Sequence, residues 1–483
     1  MIGNLSERKG NAKGEKMERL KRFLPLLAVL FAFTLIAAAC GGDDDDDTSS
    51  ETTAAATETT AGAAETTEAP MSTDPVPVCE LAYFTGEFAA YGPSLTADVK
   101  FPIENVINED PPLGRTWEYY GEDLGTPGEA QAARTCLEQR NAEIIVSIAH
   151  GYRTYRDFMI EQWAENDSPL GPTVHGGSIP GNLGGTAAEP LFRAQGLDEG
   201  LGISGVLYAE DIGASSIVIF ATQVEGFQLA AGAAEKAAEA IDMDLLARID
   251  VPAEQPSYTA EAQRIVDLNP DVVVVQAGSV ESATLIKAVA EAGVSLNWVG
   301  ETGWIQPEFI GTLGGDVVGT QTGIGFAAFA ANEDTPAWEF FQPLWDNTPG
   351  YGDTHGPAAD LYHFSTYDLL VQTALAVEYG GSYKASDWAP AMNDVGEPPG
   401  TVCYTYADCL AEIRAGNDVD YEGITGSGTY SDSGVNDVAR AYTPFNDDGS
   451  VGDPIALDGD RALEIIELIG VQAECDADNH CEW

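Results

Sequence analysis

From residue 78 onward the hydrophobic positions follow two periods in turn. Short apolar runs at 78–84, 116–120, 142–149 and 173–174 predict strands, and stretches of helical spacing at 94–108, 128–140 and 152–165 fall between them. A second series repeats the alternation, with predicted strands at 216–221, 245–251, 271–276 and 297–300. Predicted helices occupy 200–209, 227–241, 259–268 and 281–292. The run Val272-Val273-Val274-Val275 is β-branched throughout, as suits a strand buried on both faces of a parallel sheet. Two βα series predict an α/β chain built as two doubly wound parallel-sheet lobes.

The chain before residue 78 follows neither period. An apolar run from Phe23 to Ala39 is preceded by Arg19, Lys21 and Arg22 and closes on Ile36-Ala37-Ala38-Ala39-Cys40. This resembles a bacterial lipoprotein signal with its lipobox, with Ala37 where that family usually carries Leu. A transmembrane anchor is the competing reading, but a span wants about 20 apolar residues and this run contains Pro25. Residues 1–39 are thus expected to be a signal peptide, with Met17 a compact basic start, and Cys40 the lipid-bearing first residue of an extracytoplasmic protein. From Cys40 to about residue 75 the chain is Asp, Thr, Glu, Ala and Ser with no basic or aromatic residue. It cannot bury enough apolar surface to offset ordering entropy, and is expected to be a disordered acidic tether.

Charge and cysteine count narrow the classes. Residues 1–39 hold seven of the 22 Lys/Arg and three of the 78 Asp/Glu, so the chain from Cys40 on has fifteen basic and 75 acidic residues, a formal charge of −60. Bulk electrostatics therefore exclude a nucleic-acid partner. Such an acid-rich surface, with only Lys100, Lys236, Lys287 and Lys384 left after the signal, fits a salty medium that screens self-repulsion. With Cys40 assigned to lipid, six cysteines remain, an even number that suggests disulfides in an oxidising compartment. Of fifteen connectivities the simplest pairs Cys403 with Cys409 and Cys475 with Cys481, leaving Cys79 with Cys136. A zinc site competes, but no CxxC spacing occurs and the five histidines are scattered; neither a metal nor a cofactor is expected.

Residues 81–92 (LAYFTGEFAAYG), Tyr258 to Val266 followed by Asn269-Pro270-Asp271, Tyr367-Asp368, and Tyr421 to Gly426 leading to Asn446-Asp447-Asp448-Gly449 stand in a telling order. They resemble the branched-chain amino acid type of periplasmic binding protein, the substrate receptors of ABC importers, over residues 78–453. The resemblance implies a type I binding fold with two lobes joined by three crossovers and a ligand in the cleft. Lobe one would be 76–196 plus 326–425, and lobe two 197–325 plus 426–483. It further implies a monomer that works with ABC permease and ATPase subunits. A ligand sensor of the same fold is the alternative.

Parallel sheets present their ligands at the carboxyl ends of the strands, and the resemblance assigns residues there. Tyr91 would wall the pocket. Gly151, Tyr152 and Arg153 take the place of the family's carboxylate-gripping serine pair, where backbone amides and a guanidinium suit an anion. Gly176 and Ser178 overlie its second carboxylate-binding turn. In lobe two, Glu225 and Ser279 stand in the regions of lost aromatics. Glu301, or Thr302 one residue on, stands where the family places an acid for the ligand ammonium. Trp304 and Tyr362 would offer stacking faces, each with buried core as the competing reading. An amino acid or related zwitterion, anion or amide is the expected ligand. An extracytoplasmic enzyme is disfavoured: His175-Gly176-Gly177 imitates an esterase oxyanion turn, but no GxSxG nucleophile elbow exists in the chain. The glycines at 176, 177, 181, 184 and 185 do not open onto a helical pattern as a nucleotide loop requires. Asn446 to Gly449 lacks the first calcium-ligating position and is expected to be a hairpin turn.

If Cys40 carries the lipid, the protein partitions with membranes, and Cys40→Ser releases it or leaves its signal uncut. Correctly cleaved wild type that is soluble, with no lipid mass on its first residue, would refute the anchor.

Overall fold

The computed structural model describes residues 72–482 apart from 86–91, 126, 148–151, 167–171, 175–182, 253–254, 432–433, 437, 470–473 and 476–480. The signal segment, Cys40, the tether, Tyr91, Gly151, Gly176 and Ser178 lie outside the described residues. Of Arg153, Glu225, Cys475 and Cys481 the backbone alone is described. Among the described residues no helix is long and apolar enough to cross a membrane.

Two sheets organise the chain. The first is wholly parallel in the order β2-β1-β3-β4, from β1 (Val76–Ala82), β2 (Trp117–Asp123), β3 (Ile144–Ser147) and β4 (Pro172–Val174). The second contains β5 (Ser216–Thr222), β6 (Asp244–Val251), β7 (Val272–Gln276), β8 (Asn297–Gly300) and β9 (Gly323–Phe329), ordered β9-β8-β7-β5-β6 and parallel. A small parallel pair, β10 (Thr401–Cys403) and β11 (Val419–Tyr421), stands apart from both sheets, and two antiparallel strands, β12 (Arg440–Pro444) and β13 (Ile455–Ala456), extend the second sheet beyond β9. The second sheet is therefore mixed rather than purely parallel, because a hairpin returns to its edge. Asn446 to Gly449 form that turn, with the Gly449 amide donating to the Asn446 carbonyl at 2.8 Å.

The valine run behaves as its composition requires. Val273 and Val275 pack into one hydrophobic cluster, Val272 and Val274 into the cluster on the opposite face, and all four are fully buried. Sheet membership and core packing show where segments of the two lobes alternate. β9 stays in the second sheet to Phe329, and Tyr430 and Val438 still pack in the first lobe's core. The chain passes between the two sheets near 194–197, 330–332 and 438–439.

The first lobe is built around the helix Leu361–Gly380, capped by the Asp360 carboxylate, which accepts from the Tyr362 amide at 3.0 Å. His363, Ser365, Thr366, Asp368 and Gln372 interrupt the apolar spacing of this helix. Each of these polar residues is buried. Ser365 bonds the Leu361 carbonyl, Gln372 bonds the Met392 carbonyl, and Asp368 accepts from Tyr421 Oη and the Thr425 amide. His363 Nδ1 meets Asp98 Oδ1 of the helix Gly92–Asn105, with both side chains wholly buried. Burial alone would lower the imidazole pKa, but the charges of Asp98 and Asp360 outweigh it and push it up to about 9.

Disulfides join Cys79 to Cys136 and Cys403 to Cys409. Cys475 and Cys481 are register partners in an antiparallel pair of short strands, β14 (Glu474–Cys475) and β15 (Cys481–Glu482).

Removing the Cys79–Cys136 bridge, which spans 57 residues, should cost about 4 kcal/mol against about 2 kcal/mol for the six-residue Cys403–Cys409 loop; denaturant unfolding of the two double-alanine variants checks the order. The raised pKa of His363 contributes stability that is complete below pH 6.5 and lost as pH rises through about 9. Asp98→Asn should therefore lower stability at pH 7 by on the order of 3 kcal/mol and give a shallower loss between pH 7 and 9.5 than wild type. Equal slopes in calorimetric melting would show that the pair does not titrate with folding.

Candidate functional site

The strand ends of the two sheets supply the site. In the first lobe the chain leaves β1, and the Phe84 and Thr85 amides and the Thr85 hydroxyl donate to Asp123 at the end of β2. It then returns so tightly that a Cβ on Gly92 would stand 2.1 Å from the Tyr83 carbonyl oxygen, so only glycine can open the helix Gly92–Asn105 there. Ser147, at the end of β3, is buried and accepts from Tyr155 Oη at 3.3 Å.

Tyr152 does not offer a binding face. Its ring is fully buried edge-on to Tyr155, and its hydroxyl donates to Glu189 Oε1 at 2.6 Å. Arg156 holds the same carboxylate through Nε at 2.6 Å and Nη2 at 2.9 Å. A tyrosine five residues past the end of β3 is drawn inward because a buried carboxylate receives its hydroxyl. The residues assigned with it are not placed beside it: Gly151 lies outside the described residues, and so does the Arg153 side chain.

In the second lobe the loop after β8 is held at one peptide. Ser279 Oγ, at the start of the helix Ser279–Glu291, donates to the Gly303 carbonyl at 2.6 Å, and Glu301 Oε2 accepts from the Gly303 amide at 2.7 Å. Ser279 and Glu301 thus fix the turn from both sides of one residue. The Glu301 carboxyl is pushed up to about 7 by burial and by nearby Asp198, partly offset by the Gly303 amide. Trp304 is core: it is fully buried and stacks on Phe309 at 4.4 Å. A Cβ at Gly300 would sit 2.0 Å from its indole, so the glycine lets the ring fold back under the loop. That inward turn removes Trp304 as a stacking face.

Tyr362 lies where the two lobes meet. A cavity of about 220 Å³ is lined by Ser94, Leu95, His355, Asp360 and Tyr362 of the first lobe and by Gln306 of the second. A second cavity of about 210 Å³ shares Asp360 and continues along Leu361, Thr302, Ile305, Phe326 and Phe329. The loop Thr302–Gln306 and the first turn of Leu361–Gly380 therefore face each other across both spaces. Of the two residues left open by register, Thr302 lines a cavity, and its hydroxyl is buried without a protein partner. Glu301 turns back onto its own loop.

Sequence spacing did not single out Ser94, Gln306, His355 or Asp360. Two signals mark Gln306 and Asp360. Gln306-Pro307 places proline at the first turn of the helix Pro307–Leu313, and Asp360 is an N-cap, so both begin helices whose amino ends point to the cleft.

The sequence profile of the periplasmic binding protein family matches residues 75–396. No curated protein matches the chain. Among solved structures it is similar to a leucine binding protein from Thermotoga maritima, at TM-score 0.62 and 16% identity, over 80% of this chain and 99% of that one. It is also similar to a branched-chain amino acid transporter substrate binding protein from Streptococcus pneumoniae, solved with isoleucine, at TM-score 0.60 and 16% identity over 79% and 99%. A solute binding protein of an ABC transporter from R. palustris, solved with 4-hydroxybenzoate, matches at TM-score 0.60 and 15% identity over 80% and 97%.

Proposed function

The chain belongs to the periplasmic binding protein family and has its type I fold, and from that premise we propose that it is a lipid-anchored extracytoplasmic receptor. It captures one small polar solute between its lobes and delivers it to the permease and ATPase of an ABC importer. The family is one of binding proteins. The observation that carries the reading is the pair of cavities walled by side chains from both lobes, since a ligand in them touches Tyr362 and Gln306 at once. Only an arrangement of that kind converts binding into lobe closure that a membrane partner can recognise.

The lining suggests the class of solute. The polar cavity holds Ser94, Thr354, His355, Asp360, Tyr362 and Gln306; among the described residues Asp360 is its one acidic residue, and no lysine or arginine lines it. The neighbouring cavity is mainly apolar, with Glu333 and Asp360 its acidic residues. Burial, with the nearby His363, lowers the His355 pKa from its ordinary value. A solute with hydrogen-bond donors or an ammonium at one end and a short aliphatic or aromatic body at the other fits both spaces. Amino acids and hydroxylated aromatic acids both meet that description, as do the ligands of two of the similar structures.

A thermal-shift screen over L-amino acids, their amides and benzoic acids should return a small set of hits that bind one to one by calorimetry. For the best hit, Gln306→Ala should weaken binding about threefold to tenfold, the scale of one neutral hydrogen bond. Tyr362→Ala should weaken it about tenfold or more, the scale of a buried aromatic contact. Unchanged affinity in both variants would place the ligand elsewhere.

A further inference from the structure

The three crossings between lobes are tied into one ribbon. The Arg193 amide donates to the Gly434 carbonyl at 2.7 Å, the Asn436 amide donates back to the Arg193 carbonyl at 2.9 Å, and the Ala330 amide donates to the Ala439 carbonyl at 2.7 Å. The Phe329 ring fills the angle of this ribbon. A Cβ on Gly196 would stand 2.4 Å from it, one on Gly200 3.0 Å, and the Arg440 guanidinium lies 5.5 Å from its centre. Rotation of one lobe against the other must turn about these contacts.

Glu199 sits among them, in the first turn of the helix Asp198–Asp211 that follows the first crossing. Its side chain is 1% exposed and its Oε1 has no protein partner. The charges around it leave it unpaired. Asp198, its neighbour, takes the Arg193 Nη2 at 3.1 Å, while Arg193 Nε and Nη1 are buried without partners. β12 brings Arg440 to Gly200, β9 brings only the Phe329 ring, and the loop after β8 brings Glu301 toward Asp198. β7 ends at Gln276, buried with both amide atoms unpartnered. The helix Glu225–Ala240 carries Glu235, Lys236 and Glu239 further along, and Gly459–Ile469 carries Arg461, paired with Glu210 at the far end of the Glu199 helix.

We propose that Glu199 is a proton-operated latch of the hinge: it is neutral in this conformation and ionises when lobe rotation admits water to the crossings, so that opening releases a proton and closure takes one up. The inference rests on the two-lobe hinge and not on which solute is bound. Burial is the main cause, pushing the Glu199 carboxyl up to about 8; Asp198 adds to the rise and Arg193 opposes it. A carboxyl hydrated by opening returns to its ordinary value near 4.5. Between those values the present conformation binds the extra proton, so each rise of one pH unit shifts the balance toward opening by up to about tenfold. The direction is the reverse of an ion-paired carboxylate, which holds a conformation together as pH rises.

The test is small-angle X-ray scattering of the ligand-free full chain from pH 6 to pH 9, as wild type, Glu199→Gln and Glu301→Gln. Glutamine keeps the shape and the charge of the protonated acid, and thermal melting at pH 6 verifies that each variant folds. The ratio of expanded to compact conformers should rise about tenfold or more across the range in wild type and in Glu301→Gln. In Glu199→Gln it should hold its pH 6 value throughout. Scattering of wild type that does not change with pH overturns the proposal without reference to any variant. The same transition persisting in Glu199→Gln, or vanishing only in Glu301→Gln, overturns it too.

Discussion

Asp98 and His363 must remain paired in the dry interior of the first lobe, and much of the molecule is arranged around that requirement. An isolated charge there would cost several kcal/mol, so the helices Gly92–Asn105 and Leu361–Gly380 are held side by side by the pair. His363 Nε2 also donates to the His355 carbonyl at 3.1 Å, and its ring stacks on Trp345. The same stretch of helix that buries His363 presents Asp360 and Tyr362 to the cleft. A core ion pair thus sets the position of cleft residues one and three positions away.

Further along the same helix, Asp368 holds Tyr421 and the Thr425 amide, just ahead of the third crossing. Gln372 reaches the Gly428 carbonyl. The helix therefore connects the ligand-facing edge, the lobe core and the hinge by buried polar contacts, each specific in geometry where apolar packing would tolerate sliding. The second lobe uses a different device. Its large valine-rich sheet supplies rigidity, and the cleft loop is fixed locally by the two bonds at Gly303.

The elements whose side chains face one kind of surroundings were legible in the sequence. β7 and the helices Thr259–Leu268 and Ser279–Glu291 stand within two residues of their predicted bounds, because their apolar period matches a single buried face or two. The front half of Leu361–Gly380 was not legible. Its polar residues look like a solvent face until their partners, distant in sequence, are known. Trp304 and Tyr152 failed as cleft residues for a related reason, since an aromatic ring near a strand end carries no mark of whether it points out or folds back. Gly300 decides the matter for Trp304 and Glu189 for Tyr152.

Composition and pattern by themselves determined the class: a two-series α/β chain with strongly acidic charge and an even set of cysteines after Cys40. Periodicity is a local property, so a linear sequence displays it in full. Tertiary structure alone decided that Thr302, Gln306, Asp360 and Tyr362 meet across the cleft. It alone decided that Glu199 is buried at the hinge near an arginine, Arg193, that pairs with Asp198. Those facts depend on which distant segments share a volume and on how many charges compete within it, and neither quantity is written in the spacing of any one stretch of chain.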